Sequence, residues 1–370
     1  MSKFELSLAK DYVPSWTYVE AVRELFQNAL DQETTMEDNE MFFKYDEETE
    51  TLSIGNKTSI LSTSTLLLGA TTKSSDDKTI GQFGEGYKLA TLVLTREGRT
   101  VTFYNYGAKE VWKPRFVKSR RYEGSEILTF FVDKKYPWQG VPDNNLTIEV
   151  SGITSEEYEK IVKSNLHLQD VGKVFNTDKG RILLDEKHKG KVFVNGLHIC
   201  NYDEYHYGYD FNPRELNIDR DRRLVDNFDL RWLASQMWLK QGSEEMRKMA
   251  AQLIVSGAAD TEYVDSVTSE GDNYAKTSNY VYETFREEYG DDAVPVSNQE
   301  ELESISSDFK PVMVSSEYKH SITSSEKYVE PKMLYKPSAK QKLGDWLSKY
   351  HKSLTKKAAQ DLRDIISEMD

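Results

Sequence analysis

The chain has 370 residues, of which 38% are hydrophobic and 30% charged, which is typical of a globular protein of two or three domains. Its net charge of −14 disfavours general binding to nucleic acid, and no apolar run is long enough to cross a bilayer. Cys200 is the only cysteine, which excludes an intrachain disulfide and predicts a reducing cytoplasm, and the polar N-terminus is not typical of a signal peptide.

The first predicted element is a helix over residues 15–32. Thr17 and Glu20 have the spacing of a capping box at its start. One stripe of this helix is apolar, which predicts packing against a core. The residues of the apolar stripe are Val19, Val22, Leu25, Phe26 and Ala29.

A β-hairpin is predicted over residues 41–54, and a short helix over 60–69. The polar loop 70–80 leads into a helix over 85–95. Four strands follow, in TVTFYNYG, VWKPRFV, EILTFFVD and NLTIEVSG. This order of elements predicts an α+β fold, a two-layer sandwich over residues 1–152.

The rest of the chain divides into smaller parts. Residues 153–256 are predicted to form a smaller α/β middle domain, with a capped helix first and strands in GRILLD and GKVFVNGLHI. A linker over 257–280 precedes a small α/β element over 281–316, and a second linker covers 317–337. Residues 338–370 predict one amphipathic helix, which docks on the body or pairs with another chain.

Two basic stretches stand out against the acidic average, at residues 112–121 and 340–357. A solvated surface is the commoner role of such a stretch, and a local contact with nucleic acid is the alternative. The sequence leaves that choice open.

Three polar residues of the first helix, Glu24, Asn28 and Asp31, share one stripe because they stand at i, i+4 and i+7. Taken alone, such a stripe is typical of a solvated face. The same residue types also suit a metal–nucleotide site, since an amide oxygen can bind Mg²⁺ and a carboxylate one turn away can accept a proton from water.

A glycine-rich stretch, IGQFGEGYKLATLVL, covers residues 80–94. Gly81, Gly84 and Gly86 precede a helical run, where bare backbone lets N–H groups approach a phosphate at the start of the helix. A turn that merely starts the helix is the alternative.

The two motifs together, ELFQNALD and then IGQFGEGYKLATLVL about fifty residues later, resemble the GHKL ATPases. That superfamily comprises gyrase, the ninety-kilodalton heat-shock chaperone, histidine kinases and MutL, and the chaperone branch is the most similar. The resemblance implies a Bergerat-type α/β sandwich that binds ATP and Mg²⁺. The whole chain also resembles nucleotide-binding proteins carried by bacteriophages, for which the cytoplasm would be that of the host.

The resemblance implies a role for each matching residue. Glu24 would be the general base, Asn28 would hold Mg²⁺, and Asp31 would support the hydrogen bonds around the base. The nucleotide-binding residues of the glycine stretch and its surroundings would be Gly81, Gln82, Phe83, Gly84, Gly86, Lys73 from a mobile lid, and Thr147 facing the adenine. Lys88 departs from the family, which usually has a large uncharged residue there, and its charge could act toward the phosphates.

The sequence departs from the family pattern at Asn56. Counting from Leu52 places Asn56 where the family has the aspartate that binds the adenine amino group, whereas counting back from Leu61 places Gly55 near that position. An Asn side chain can accept from adenine or, when flipped, donate to a guanine oxygen. The choice of base is therefore open.

The second unit continues the resemblance, because KVFVNGLHI followed by LNIDRD is similar to the chaperone's middle domain. There Arg220 would sense the terminal phosphate. The implied function is magnesium-dependent ATP binding and slow hydrolysis that closes a lid and a domain. The alternative is a nucleotide-binding interaction module without significant hydrolysis. The implied partners are the nucleotide, an unidentified protein, and a second copy in a nucleotide-dependent homodimer.

Overall fold

The structure is a computed structural model. It describes residues 1–67, 86–135, 138, 142–213, 215–216, 227–240, 242–264, 272–330 and 337–369. Its internal contacts divide the chain into two units, Met1–Leu230 and Arg231–Asp370. No helix within these described ranges is long and apolar enough to cross a membrane.

A seven-stranded antiparallel sheet forms the first part of unit Met1–Leu230. Its strands are β1 (Ser2–Ala9), β2 (Met41–Asp46), β3 (Thr51–Asn56), β4 (Thr100–Asn105), β5 (Glu110–Lys118), β6 (Glu126–Asp133) and β7 (Leu146–Ser151). They lie in the order β1-β6-β5-β4-β7-β3-β2. All neighbours are antiparallel, and short connections join the three pairs that are consecutive in sequence, β2–β3, β4–β5 and β5–β6.

Two helices, α1 (Tyr18–Thr35) and α2 (Gly86–Arg96), supply apolar side chains to the core of this sheet. The predicted capping box of α1 is confirmed, because the side chains of Thr17 and Glu20 cap each other's backbone N–H groups. Alternate strand residues such as Ile54 and Val150 are buried in the same core. A layer of two helices on one face of the sheet is the result.

The remainder of this unit contains α3 (Ser155–Lys163) and a five-stranded sheet. The strands are β8 (Val174–Thr177), β9 (Gly180–Leu183), β10 (Lys191–Val194), β11 (Leu197–Asn201) and β12 (Gly208–Phe211). Their order is β11-β10-β12-β9-β8, and only the β10–β12 pair among them is parallel. Ile161 of α3 and Leu197 of β11 belong to the same core as the seven-stranded sheet.

The second unit is mostly helical. After α4 (Asn227–Leu239), which spans the boundary between the units, come α5 (Glu244–Ser256), α6 (Asp272–Tyr289), α7 (Gln299–Ser304), α8 (Ser316–Thr323), α9 (Ala339–Tyr350) and α10 (Lys356–Glu368). Two short parallel strands, β13 (Ala293–Val296) and β14 (Lys310–Met313), flank α7 in sequence.

The predicted α+β mixture of helices and strands is confirmed, and four local predictions are wrong. The predicted helix over 60–69 is a single 3₁₀ turn at Thr63–Leu66. The predicted linker over 257–280 contains the first half of α6. The second linker predicted over 317–337 contains most of α8, in which Tyr318, Ser321 and Ile322 are buried. The single helix predicted over 338–370 is two helices, because Leu354 is extended and Thr355 caps α10 as a new start.

Candidate functional site

The polar stripe of α1 is buried. Only 4% of Glu24, 2% of Gln27 and 2% of Asp31 is exposed, and Asn28 is half-buried. The interpretation of this stripe as a solvated face is therefore wrong. Because burying charged and amide groups is costly without compensation, this arrangement calls for polar partners around the stripe.

The first residue of α2 lies directly on this stripe. A Cβ atom added to Gly86 would come within 2.7 Å of Glu24 Oε2 and 3.1 Å of Asn28 Nδ2. A side chain at this position would therefore push both groups aside. Gly86 of the second motif thus meets Glu24 and Asn28 of the first motif at the start of α2, and the start of a helix favours an anion through its N–H groups and its dipole.

Arg23 connects Glu24 to the five-stranded sheet. Its Nη2 lies 3.6 Å from Glu24 Oε1, and both side chains are less than a tenth exposed. Its Nη1 donates a hydrogen bond of 3.0 Å to the carbonyl of His198 in β11. A change in the position of β11 would therefore move Arg23 and alter its distance from the carboxylate of Glu24.

The amide of Asn28 is oriented by α1 itself. Its Nδ2 donates a hydrogen bond of 2.8 Å to the backbone carbonyl of Glu24. This bond uses the nitrogen end of the amide, so Oδ1 is the end that could bind a metal ion. An uncharged oxygen of this kind suits Mg²⁺, which takes few protein ligands and leaves its other positions to phosphate and water.

Asn56 lies at the end of β3 on the face covered by α1. Its Nδ2 donates to the carbonyls of Ala29 at 2.9 Å and Asn39 at 3.3 Å. Both partners are acceptors, so the nitrogen end must point toward them and the amide cannot flip without losing both bonds. The oxygen end is therefore the end that Asn56 could offer to a ligand.

Thr147 does not join this group. In the register of β3 and β7, Asn56 pairs with Leu146, and Thr147 pairs with Gly55. Leu146 and Ile148 are buried on the helix-covered face, and successive residues of a strand alternate between faces. The structure thus places Thr147 on the opposite face, away from α1, and separates it from the predicted adenine site.

Lys88 is fully buried in the first turn of α2, where its Nζ donates a hydrogen bond of 2.7 Å to the carbonyl of Leu67. It stands two residues after Gly86, about 200° around the helix, so it faces away from the stripe of α1. Burial lowers the pKa of its amine to about 8, because a charged amine is poorly solvated there. Lys88 anchors the chain at Leu67 and does not reach the candidate phosphate position.

Several predicted site residues lie outside the described residues. They are Lys73, Gly81, Gln82, Phe83, Gly84 and Arg220. Of the glycine stretch, the structure therefore tests the position of Gly86 alone.

Sequence reasoning missed two residues of the site, Arg23 and Gln27. Gln27 stands at i+3 from Glu24 and i−4 from Asp31, a spacing that could have assigned it to the same stripe. Within the described part of the chain, its buried Oε1 has no hydrogen-bond donor. The contact of Arg23 with His198 joins residues 175 positions apart, so no local pattern could have predicted it.

Comparison with known proteins gives two matches. A family model described as the Mycoplasma pneumoniae MPN635 N-terminal domain matches residues 156–242, which include the five-stranded sheet, most of α3 and all of α4. An uncharacterised protein of Mycoplasma pneumoniae is 24% identical over 225 residues, which cover 58% of this chain and 88% of that protein. Part of the chain is thus similar to a domain found in Mycoplasma.

The low pKa of Lys88 gives a test of its burial. The folded pKa lies below the value of about 10.4 in an unfolded chain, so the unfolded state binds more protons between pH 8 and 10. Stability should therefore rise with pH in this range, by about 3 kcal/mol from Lys88. Lys88→Met should remove this rise and be more stable than the parent at pH 7. Denaturant unfolding of both proteins at pH 7 and pH 10 checks this, and equal pH dependence in the two would contradict it.

Proposed function

We propose that the chain binds ATP with Mg²⁺ and hydrolyses it slowly, as a switch of conformation. The observation that carries the proposal is the contact of Gly86, at the start of α2, with Glu24 and Asn28. This contact joins an anion-favouring helix start to a carboxylate and an amide, which are the groups required to bind a phosphate and to activate water.

The fold is consistent with a Bergerat-type sandwich and membership of the GHKL superfamily. One antiparallel sheet carries α1 and α2 in a single layer, and Gly86 of the second motif faces Glu24 and Asn28 of the first. Strands of the sheet precede and follow α2 in sequence, and both helices pack in the same core. This supports the resemblance without depending on the residues outside the described ranges.

The proposed reaction is attack of water on the terminal phosphorus. The water gives a proton to the carboxylate of Glu24, its oxygen bonds to phosphorus, and the bond between phosphorus and the β–γ bridging oxygen breaks. ADP and inorganic phosphate are the products. Asn28 would hold Mg²⁺ through Oδ1, and the ion would neutralise the negative charge that builds on the phosphates.

Asn56 is the proposed contact to the base. Its nitrogen end is committed to Ala29 and Asn39, which leaves Oδ1 as an acceptor. An acceptor matches the amino group of adenine and opposes the carbonyl oxygen of guanine. We therefore favour ATP over GTP, a choice that the sequence alone leaves open.

Arg23 supports coupling of the site to the second sheet. Since it contacts both Glu24 and the carbonyl of His198, movement of β11 would alter the position of the carboxylate. Arg220 as a phosphate sensor and a nucleotide-dependent homodimer remain proposals from the resemblance. The proposed compartment is the cytoplasm. Burial of Cys200 in the protein raises the pKa of its thiol to about 11, so the thiol would stay protonated at the pH of that compartment.

The second candidate function is a nucleotide-binding interaction module without significant hydrolysis. The contact with Arg23 favours it, because Arg23 lies 3.6 Å from Glu24 and also donates to the carbonyl of His198, so Glu24 takes part in joining α1 to β11. In this case Glu24 would have a structural role, and the nucleotide would act as a ligand that favours one conformation.

Replacement of the proposed base separates the two functions. Glu24→Gln keeps the shape of the side chain and removes its basicity, so phosphate release should fall by about a hundredfold or more while ATP affinity changes little. Glu48→Gln, an exposed carboxylate in the β2–β3 turn, is the matched control. Equal phosphate release by Glu24→Gln and the parent would rule out Glu24 as the base, and no release by either, with nucleotide bound, would establish the interaction module.

The bare backbone at Gly86 gives a second test. Gly86→Ala should weaken ATP binding by about tenfold or more, because its Cβ would displace Glu24 and Asn28, whereas alanine is favourable in a helix and should not unfold the chain. Gly344→Ala is the matched control, since a Cβ in that helix meets no atom within 4 Å. Calorimetric titration with Mg-ATP checks both variants, and unchanged affinity in Gly86→Ala would place the phosphates elsewhere.

The orientation of Asn56 predicts the order of nucleotide affinities. ATP should bind at least about tenfold more tightly than GTP or inosine triphosphate, because a carbonyl at the six position would face an oxygen lone pair. Displacement of a labelled ATP analogue by each nucleotide measures this order. Equal displacement by ATP and inosine triphosphate would show that Asn56 does not contact the base.

A further inference from the structure

A cavity of about 250 Å³ lies within unit Arg231–Asp370, between α5, α6 and the segment that follows α8. Most of its lining side chains are hydrogen-bond donors. They are Arg247, Lys276, Asn279, Tyr280, Glu283 and Lys327.

The concentration of cations in this cavity contrasts with its surroundings. Residues 231–330 contain 9 Lys and Arg residues and 19 Asp and Glu residues, so this stretch is strongly acidic. Three of these cations nevertheless line one small cavity, and they come from α5, from α6 and from the chain after α8. Like charges that converge from separate elements repel each other unless an anion lies between them.

Hydrogen bonds hold two of the lining side chains in place. Nε of Arg247 donates to Asn273 Oδ1 at 2.6 Å, and Asn273 in turn donates to the carbonyl of Leu239 at 2.8 Å. Ser325 Oγ donates to Asn279 Oδ1 at 2.7 Å, so the nitrogen end of the Asn279 amide is the end left to donate. Part of the cavity is therefore oriented before any ligand binds.

The nearby carboxylates already have partners. Glu283 pairs with Lys327, and Glu244 pairs with Lys248 at 2.7 Å and accepts from the hydroxyl of Tyr280. Neither Arg247 nor Lys276 forms an ion pair among the described residues. Arg247 and Lys276 are thus two cations of the cavity that no ion pair within the described ranges neutralises, although Glu244 attracts Arg247 electrostatically.

We propose that this cavity binds a small anion that carries phosphate groups. A phosphate accepts hydrogen bonds and brings negative charge, which matches the guanidinium of Arg247, the amine of Lys276 and the amide nitrogen of Asn279. The volume lies below the range of about 300–1,000 Å³ for pockets of drug-sized ligands, so a compact anion fits best. This site is separate from the proposed ATP site, since all of its residues belong to the second unit.

Calorimetric titration of the full chain with inorganic phosphate, pyrophosphate and acetate tests the proposal. We expect saturable binding of phosphate or pyrophosphate and none of acetate. Lys276→Met should weaken it about tenfold or more, because a charge-assisted hydrogen bond is lost. Lys276 is exposed, so this variant should fold, and Lys342→Met, an exposed lysine of α9 outside the cavity, is the matched control.

A second variant separates the two sites. Asn28→Ala should leave phosphate binding at the cavity unchanged, whatever its effect on ATP. Three results would each overturn the proposal. They are the absence of saturable phosphate binding, equal phosphate affinity in Lys276→Met and the parent, and loss of phosphate binding in Asn28→Ala alone. Failure of the chain to bind ATP would overturn the proposed function and would leave the proposal of an anion site in this cavity unaffected.

Discussion

The close approach of α2 to α1 at Gly86 is the constraint on which the candidate site depends. A glycine is required there, because any side chain would meet Glu24 and Asn28. The approach places the start of α2 against a buried carboxylate and a half-buried amide, and the first N–H groups of a helix have no partner within the helix itself. Every proposed role, from phosphate binding to water activation, follows from this one contact.

The burial of α1 on both sides explains how the site is held. Its apolar stripe packs in the core with the seven-stranded sheet, and its polar stripe is covered as well. Arg23 joins the helix to His198 of the five-stranded sheet, and Asn56 joins it to β3. The helix that carries the candidate base is therefore in contact with both sheets of its unit, an arrangement suited to coupling chemistry to conformation.

The sequence alone predicted the structural elements whose signals are local patterns of residues. The capping box of α1 and strands β2 to β7 of the first sheet could be predicted because their signals lie within a few residues, whereas β1 was missed. The start of α6 could not be predicted, because its polar residues resemble those of a linker. In the structure two of them, Thr277 and Ser278, are fully buried on the face by which α6 packs. The side of the sheet on which Thr147 lies depends on the register of β3 and β7, which pairs Thr147 with Gly55 and which no local pattern predicted. The meeting of Gly86 and Glu24 was accessible only through family resemblance.

A crystal structure of the chain with Mg²⁺ and a non-hydrolysable ATP analogue is the direct test of ATP binding between α1 and α2. We expect phosphate oxygens within hydrogen-bond distance of the backbone N–H groups at the start of α2, with Mg²⁺ about 2.1 Å from Asn28 Oδ1. An analogue bound elsewhere, or side chains filling the space between the two helices in the presence of saturating analogue, would contradict it.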